Sequence, residues 1–190
     1  MNHRTILLFP SLLALFTTQF LPACCTELDF GSKANDTVQI VVEMEIEATP
    51  QEIFDILTDH EGYAENFISV QKSVLLQEGT ETKNGVGARR ELSVLGTIGV
   101  DRITSFDPPN GYTYDASEAY YIQPFGEWSR VDIPFNHAGA SVEITDLGNG
   151  ISLVRWETNT WITWFPKFVS KTMFTTWLGS ILKETRKILE

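Results

Sequence analysis

A cluster of titratable side chains in the first third of the chain could bind a metal ion or transfer protons. Asp59, His60 and Glu61 are consecutive, and Asp55 and Glu65 lie just before and after them. A zinc site, however, needs three or four ligands that converge on one point. Consecutive residues of a helix point roughly 100° apart and cannot do this. We therefore predict that the acids lie on a solvated helix face and that the cluster forms no metal site.

Other patterns that carry chemistry are absent from the sequence or incomplete. There is no Gly-x-Ser-x-Gly motif, and no histidine or cysteine pair has the spacing of a metal site. The segment GVGARR, residues 85–90, begins like a dinucleotide-binding loop but lacks the third glycine and leads into a predicted strand. Cys24 and Cys25 are adjacent, so a bond between them would close no useful loop. The sequence therefore predicts no cofactor and offers no catalytic residue by motif.

The composition is that of one globular domain with an excess of acid. The chain has 190 residues, 43% of them hydrophobic, and 25 acidic residues against 14 basic ones, for a net charge of −11. A chain of this length can bury a sizeable core or line an internal cavity. Nucleic acids and anionic lipid headgroups are bound through concentrated lysine and arginine. The charge balance therefore argues against both as partners.

Residues 1–23 have the pattern of an export signal. Arg4 precedes an apolar run at residues 6–20, which is shorter than a membrane-spanning helix and is interrupted by Pro10. The sequence LPAC at residues 21–24 resembles a bacterial lipobox, which implies cleavage after Ala23 and a lipid on Cys24. An uncleaved N-terminal anchor is the alternative. We expect an exported protein of the cell envelope that a lipid tethers to the membrane; without the lipid it would be periplasmic or secreted.

Strand and helix patterns follow a polar linker at residues 24–36. Apolar and acidic residues alternate in a first strand at residues 37–48, and Thr49-Pro50-Gln51-Glu52 has the form of a capping box that starts a helix. Asn-Gly dipeptides at residues 84–85, 110–111 and 149–150 predict tight antiparallel hairpins. Further strands are predicted at residues 70–77, 86–95, 98–106, 112–118, 140–147 and 151–163. A wide apolar stripe predicts a long helix at residues 166–189.

One segment, residues 119–137, fits this pattern poorly. It is rich in aromatic residues and is broken by Pro124, Gly126 and Pro134. It is either a loop that acts as a lid or touches a membrane, or an elongated hairpin that packs on its own aromatic side chains.

This order of elements resembles the START-like helix-grip superfamily, and within it the polyketide cyclase/dehydratase and coenzyme Q-binding branches. The resemblance rests on ATPQEIFDILTDHEGYAENFISV, GVGARREL, FDPPNGYTY, GISLVRWE and the terminal helix, and it covers residues 37–190. It implies an α+β fold in which a curved antiparallel sheet of about seven strands surrounds a long C-terminal helix. Two short helices after the first strand close one end, and a cavity lies between the helix and the sheet.

Strand alternation predicts which polar residues point into this cavity. Arg90 shares a strand face with Leu92 and Val94, and these apolar neighbours indicate that it points inward. The resemblance places Asp101 and Ile103 in the cavity as well. Because a buried charge without a partner is unfavourable, Arg90 and Asp101 are expected to pair or to bind a polar ligand group. A register shift of one residue would instead turn them toward solvent.

Aromatic residues complete the predicted ligand site. Trp156 is expected to face the interior, where its indole N–H needs a hydrogen-bond partner. The resemblance places Tyr63 and Phe67 near the cavity mouth, whereas Tyr114 faces either the cavity or a cross-strand neighbour at the surface. The full set of expected ligand-binding residues is Tyr63, Phe67, Arg90, Leu92, Val94, Asp101, Ile103, Tyr114, Trp156, Met173 and Trp177.

Two classes of function fit these residues. The first is a binding protein for an apolar, lipid- or quinone-like molecule, in which the apolar lining sets affinity at about 0.8 kcal/mol per buried methylene and Arg90 with Asp101 selects the headgroup. The second is an enzyme of the cyclase/dehydratase type that acts on a hydrophobic carbonyl substrate, with His137, Glu118 or Asp101 as the acid–base group. Binding is preferred because none of these three groups has a recognisable partner, and because export separates the protein from cytoplasmic polyketide synthesis. The oligomeric state is not encoded in any pattern that we can identify.

Overall fold

The computed structural model describes residues 36–123 and 129–190. The predicted signal, nearly all of the linker and the lipidation site at Cys24 lie outside these residues. The described elements are β1 (Gln39–Ile46), α1 (Pro50–Thr58), α2 (Tyr63–Asn66), β2 (Val70–Gln77), β3 (Arg89–Val94), β4 (Thr97–Asp107), β5 (Gly111–Gln123), β6 (Ser129–Asp132), β7 (Phe135–Gly148), β8 (Ile151–Ile162) and α3 (Lys167–Leu189).

The strands form one antiparallel sheet on whose inner face α3 packs. The strand order is β1-β8-β7-β5-β4-β3-β2, and β6 pairs with the end of β5. Among the other elements, α3 contacts β1 and β8 most extensively, and it also contacts α1 and α2. The prediction of an α+β helix grip is confirmed, with one short strand, β6, beyond the seven that make up the main path of the sheet.

The start of α1 follows the predicted capping box. The Thr49 backbone N–H donates to the Glu52 carboxylate at 2.9 Å, and the Thr49 hydroxyl accepts from the Glu52 backbone N–H at 3.4 Å. Pro50 occupies the first helical position, where its missing N–H needs no partner. These bonds direct the chain from the end of β1 across one end of the sheet.

The turns differ from the prediction at two of the three Asn-Gly pairs. Asn149 and Gly150 have φ angles of 57° and 75°, as a tight hairpin turn requires. Asn84 instead lies in the longer connection between β2 and β3, where its side-chain amide donates to the Thr58 carbonyl at 2.9 Å. At the second pair only Gly111 has a positive φ, of 146°. All three pairs join consecutive antiparallel strands, as predicted, but only Asn149-Gly150 forms a two-residue turn with both φ angles positive.

The segment 119–137 is largely an elongated hairpin. β5 extends to Gln123, five residues beyond the predicted end at Glu118, and β6 pairs back onto it. The pairing of β4 with β5 shifts between Val100 and Asp101, so one extra residue of β5 is accommodated there as a bulge. This bulge breaks the alternation of side chains, which explains why the sequence pattern seemed to end early.

The long helix α3 has 23 residues and a length of about 35 Å. Its buried side is formed by Ser170, Leu178, Ile181, Leu182 and Thr185. At Gly179 it approaches β1 closely, since a Cβ atom there would lie 3.9 Å from the Val42 side chain. No helix within residues 36–123 and 129–190 is both long and apolar enough to cross a membrane.

Candidate functional site

A buried ion pair joins β3 and β4 on the inner face of the sheet. Arg90 and Asp101 are direct cross-strand partners, and Arg90 Nε donates to Asp101 Oδ1 at 2.6 Å. Only 1% of Arg90 and 7% of Asp101 is exposed. The predicted pairing of these two inward-facing residues is confirmed. Burial raises the pKa of the Asp101 carboxyl, and the adjacent guanidinium opposes this shift by favouring the carboxylate.

His60 is the second partner of Arg90, and the sequence did not predict this contact. Arg90 Nη1 lies 2.6 Å from His60 Nδ1. Because a guanidinium can only donate, Nδ1 accepts and the neutral imidazole carries its proton on Nε2. Burial, reinforced by the neighbouring positive charge, lowers the pKa of His60 to about 2. His60 is therefore uncharged at neutral pH, and with a low basicity and its Nδ1 bound by Arg90 it is a poor general base.

The acids of this cluster are exposed, as expected, whereas His60, for which the sequence predicted no direction, is buried. α1 ends at Thr58, and the His60 backbone N–H donates to the Thr58 carbonyl at 2.9 Å, which turns the chain sharply. Asp59 and Glu61 remain exposed on either side while His60 is fully buried. The helical spacing that was applied to these residues does not extend beyond Thr58.

Three tyrosine rings surround the guanidinium of Arg90. Its Cζ atom lies 5.5 Å, 6.0 Å and 5.3 Å from the ring centroids of Tyr63, Tyr112 and Tyr114. These distances allow cation–π attraction, which is strongest where water is excluded. The hydroxyls of Tyr63 and Tyr112 both donate to the Leu57 carbonyl near the end of α1. Tyr112 therefore connects α1 to the sheet, and Tyr63 connects α2 to α1.

Burial keeps Tyr112 and Tyr114 neutral. It raises the pKa of Tyr112 and of Tyr114 well above the ordinary phenol value, although Arg90 acts in the opposite direction. The Trp156 indole N–H donates to the Tyr114 hydroxyl at 3.0 Å, so the predicted need of Trp156 for a partner is met. The whole network holds one positive and one negative charge, which are paired with each other.

Beside this closed network the inner face is partly unfilled. The register places Gly99 opposite Leu92 and Ala119, and Ala116 opposite Asp101, all on the inner face. A Cβ atom built on Gly99 would meet no heavy atom within 4 Å. Ala116 and Ala119 are only half-buried, in contrast to Leu92, which is buried. Small side chains thus leave an open, largely apolar area next to the ion pair.

Two ring nitrogens are buried without a hydrogen-bond partner among the described residues. They are the indole Nε1 of Trp177 on α3 and the Nε2 of His137 on β7. His137 is the direct partner of Thr160 and shares its inward-facing side of the sheet. Burial lowers the pKa of His137 and so favours the neutral ring. Such atoms normally find a partner, so each is a place where a polar ligand atom or water would be stabilised.

The predicted ligand-binding residues divide into three groups. Arg90, Asp101, Tyr63, Tyr114 and Trp156 lie together in the buried network. Phe67 packs edge-on against Tyr63 with ring centroids 4.9 Å apart, and Leu92 and Ile103 are buried in the adjoining core. Val94 and Trp177 are only partly buried.

Met173 differs from the expectation. It is 45% exposed, because it lies roughly 110° around α3 from the centre of the buried stripe. The apolar pattern of α3 is wider than the surface that the sheet covers, and Met173 falls on the uncovered flank.

Glu118, which was a candidate acid–base group in the cavity, does not face the cavity. It lies on the outer face of the sheet, where it forms ion pairs with Arg89 at 3.5 Å and Arg130 at 2.9 Å.

A depression of about 250 Å³ on the same outer face is lined by Thr104, Thr113, Asp115, Ser141 and Glu157, among others. Within the described residues no group of three or more histidine, cysteine, aspartate and glutamate side chains could hold a metal ion.

The helix grip and its inward-facing network define a START-like protein. The chain matches the family described as polyketide cyclase / dehydrase and lipid transport over residues 37–190. Since this match covers most of the sequence, the chain belongs to that family. No curated protein matches the chain.

Solved structures with the same fold come from distant relatives. A START superfamily protein from Mycobacterium smegmatis has a TM-score of 0.63 at 11% identity, over 80% of this chain and 96% of that one. A conserved protein from Geobacillus kaustophilus has a TM-score of 0.61 at 10% identity, over 80% and 95% of the two chains. Ginseng major latex-like protein 151 from Panax ginseng has a TM-score of 0.59 at 15% identity, over 81% and 98%. At these identities the likeness concerns the fold alone.

Proposed function

We propose that this protein binds an apolar small molecule, lipid- or quinone-like, on the inner face of the sheet beside α3. The observation that carries the proposal is the unfilled space above Gly99, where an added Cβ atom meets nothing within 4 Å. Gly99 is only half-buried, so this space is open at the surface of the inner face and a ligand can reach it. The family description, which includes lipid transport, is consistent with a ligand of this kind.

The polar groups of the inner face would orient the ligand rather than bind it tightly. Each methylene transferred from water contributes about 0.8 kcal/mol, so a chain of ten carbons contributes about 8 kcal/mol before the losses of association. Arg90 and Asp101 are already paired with each other. The unpartnered nitrogens of Trp177 and His137 are therefore the better candidates to meet a polar ligand atom.

A cyclase/dehydratase activity is less well supported. His60 has a pKa of about 2, Glu118 lies on the outer face, and Asp101 is held by Arg90. Of the acid–base groups considered, His137 remains on the inner face. Burial lowers its pKa, and the nearby charge of Asp115 opposes this shift. One such group without a second acid or base on the inner face is a weak basis for catalysis.

We further propose that the protein is exported and tethered to the membrane of the cell envelope through a lipid on Cys24. The apolar run at residues 6–20 and the LPAC sequence support this location. Mass spectrometry of the N-terminal peptide from protein made in its own host would test it. A thioether-linked lipid on Cys24 is expected, and an unmodified Met1 peptide would contradict the proposal.

Native mass spectrometry of the chain purified from its own host tests the binding function. The wild-type protein is expected to carry an apolar molecule in stoichiometric amount. Gly99→Phe should lose that molecule, because the ring occupies the open space on the inner face. Ile98→Phe is the matched control, since the neighbouring residue faces outward opposite Tyr120, and it should retain the molecule.

Two results would contradict the binding proposal. One is a wild-type protein that carries no molecule after mild purification. The other is equal retention by the Gly99→Phe and Ile98→Phe variants, which would place the ligand elsewhere.

A further inference from the structure

Two large apolar side chains are exposed at the corner where β8 leads into α3. Trp164 is 52% exposed and Phe168 is 72% exposed. The corner itself is well fastened, because the Trp161 indole N–H donates to the Phe165 carbonyl at 2.7 Å. The ammonium group of Lys167 lies 4.9 Å from the centroid of the Trp161 ring. Aromatic side chains held in water by an ordered corner indicate a surface that contacts something apolar.

The described part of the chain begins at this same corner. The Asp36 carboxylate pairs with Lys167, and the Asp36 carbonyl accepts from the Asn136 amide at 2.8 Å. The residues before Asp36 include the apolar run at residues 6–20 and Cys24. A chain running from Cys24 to Asp36 can extend at most about 40 Å. This length of chain allows the corner to reach a bilayer to which Cys24 is attached.

We propose that the corner formed by Trp161, Trp164, Phe165, Lys167 and Phe168 rests on the surface of a lipid bilayer. This inference rests on the tethering proposed above. Tryptophan is favoured at the boundary between lipid headgroups and acyl chains, because its ring is apolar and its N–H is polar. Lysine can lay its alkyl chain on such a surface while its ammonium group stays in water.

The charge of the chain selects the kind of lipid surface. With a net charge of −11 the protein is repelled by anionic headgroups. The contact therefore depends on apolar burial and is expected with zwitterionic lipid. Two exposed side chains are too few to hold a protein to a bilayer by themselves. A tether makes the contact intramolecular, which raises the local concentration of lipid at the corner.

The molecule offers a matched control for this surface. Ile68 is 89% exposed, and its backbone N–H donates to the Glu184 carboxylate at 2.9 Å, near the other end of α3. Phe168 and Glu184 are separated by about 24 Å along the helix axis at 1.5 Å per residue. Ile68 is thus an exposed apolar residue at a site that a bilayer under the Trp164 corner does not reach.

Quenching by brominated lipid tests the proposal. The host-processed full chain is reconstituted into vesicles of phosphatidylcholine whose acyl chains carry bromine, which quenches nearby tryptophan. Phe168→Trp is expected to raise the quenched fraction of tryptophan emission, whereas Ile68→Trp should lower it by adding an indole far from the lipid. Trp164→Tyr should lose quenching relative to the wild type. Vesicles without bromine provide the reference intensity for each variant.

The outcomes separate this proposal from the ones it rests on. If the chain floats with the vesicles but Phe168→Trp is no more quenched than Ile68→Trp, the tether stands and the docking corner is overturned. Emission at position 168 that responds to protein density rather than to bromine would mean that a second copy covers the corner, which also overturns it. Failure to float at all overturns the tether and the corner together. None of these results bears on the bound molecule, which native mass spectrometry reports independently.

Discussion

Arg90 Nη1 donates a hydrogen bond to His60 Nδ1 over 2.6 Å, so a side chain of β3 holds the segment that follows α1. The same guanidinium reaches Asp101 on β4 through Nε. Three parts of the chain that are distant in sequence therefore depend on one buried cation. Because buried charges are stabilised only by complete pairing, the removal of any one partner should affect the whole end of the fold.

Arg90→Met should destabilise the protein by about 3–5 kcal/mol, because it leaves the Asp101 carboxylate buried without a counter-charge. The free energy of unfolding from urea titration measures this effect. The double variant Arg90→Met/Asp101→Leu should recover much of the loss, since both charges are then removed. The pairing would be contradicted if the double variant lost more free energy of unfolding than the two single variants lose together.

The free energy of unfolding should fall as the pH is lowered from 6.5. Unfolded His60 takes up a proton near pH 6.5, whereas folded His60 stays neutral down to about pH 2. The unfolded state therefore binds more protons in this interval, and acid favours it by up to about 1.4 kcal/mol per pH unit. Between pH 6.5 and pH 5 the contribution from His60 is about 2 kcal/mol.

Comparison with His60→Asn isolates this dependence. Asparagine can accept from Arg90 but does not titrate, so the variant should show a flatter stability profile between pH 6.5 and pH 5. His137 and Asp101 titrate in both proteins and cancel in the difference. Parallel profiles for the two proteins would mean that His60 is not buried in its neutral form.

Tyr114→Phe should destabilise the protein by about 1–3 kcal/mol, because the buried indole N–H of Trp156 loses its acceptor. Thermal unfolding measured by circular dichroism provides the comparison. Tyr121→Phe is a suitable control, since it removes a hydroxyl from a partly exposed position of the same strand. Equal melting temperatures for the two variants would argue against the Trp156 bond.

Gly111→Ala should be among the most damaging single substitutions, at about 3 kcal/mol or more. A Cβ atom at Gly111 would lie 2.0 Å from the Val142 carbonyl oxygen, and the residue has a φ of 146°. Gly99→Ala should be nearly neutral in stability because its Cβ atom enters open space. Chemical denaturation of the two variants measures their free energies of unfolding. A similar decrease for both would contradict the open inner face.

Much of the architecture could be predicted from local patterns. The capping box at Thr49 and the alternation of β1 act between near neighbours in the chain, so they can be recognised in the sequence without knowledge of the fold. The inward direction of Arg90, Leu92 and Val94 also followed from alternation along one strand. The family resemblance added the order of the layers. Predictions were less reliable wherever a contact distant in sequence competes with a local preference, as at Asn84.

His60 shows why the rest of the site could not be read from the sequence. Its neighbours Asp59 and Glu61 are exposed acids, and nothing local distinguishes its side chain from theirs. Its burial depends on the end of α1 and on an arginine thirty positions away. How much of the surface of α3 the sheet covers is likewise a tertiary property. For this reason Met173 is exposed and Trp177 is partly buried.

The sequence by itself determined the helix start at Thr49 and indicated the inward face of Arg90, because these depend on capping and on strand periodicity. The family resemblance added the fold class and the inward position of Asp101. Only the tertiary structure decided that the pair of Arg90 and Asp101 is closed by His60 and three tyrosines, and that free space lies beside it above Gly99. The physical reason is that packing and desolvation arise between segments that meet only after folding.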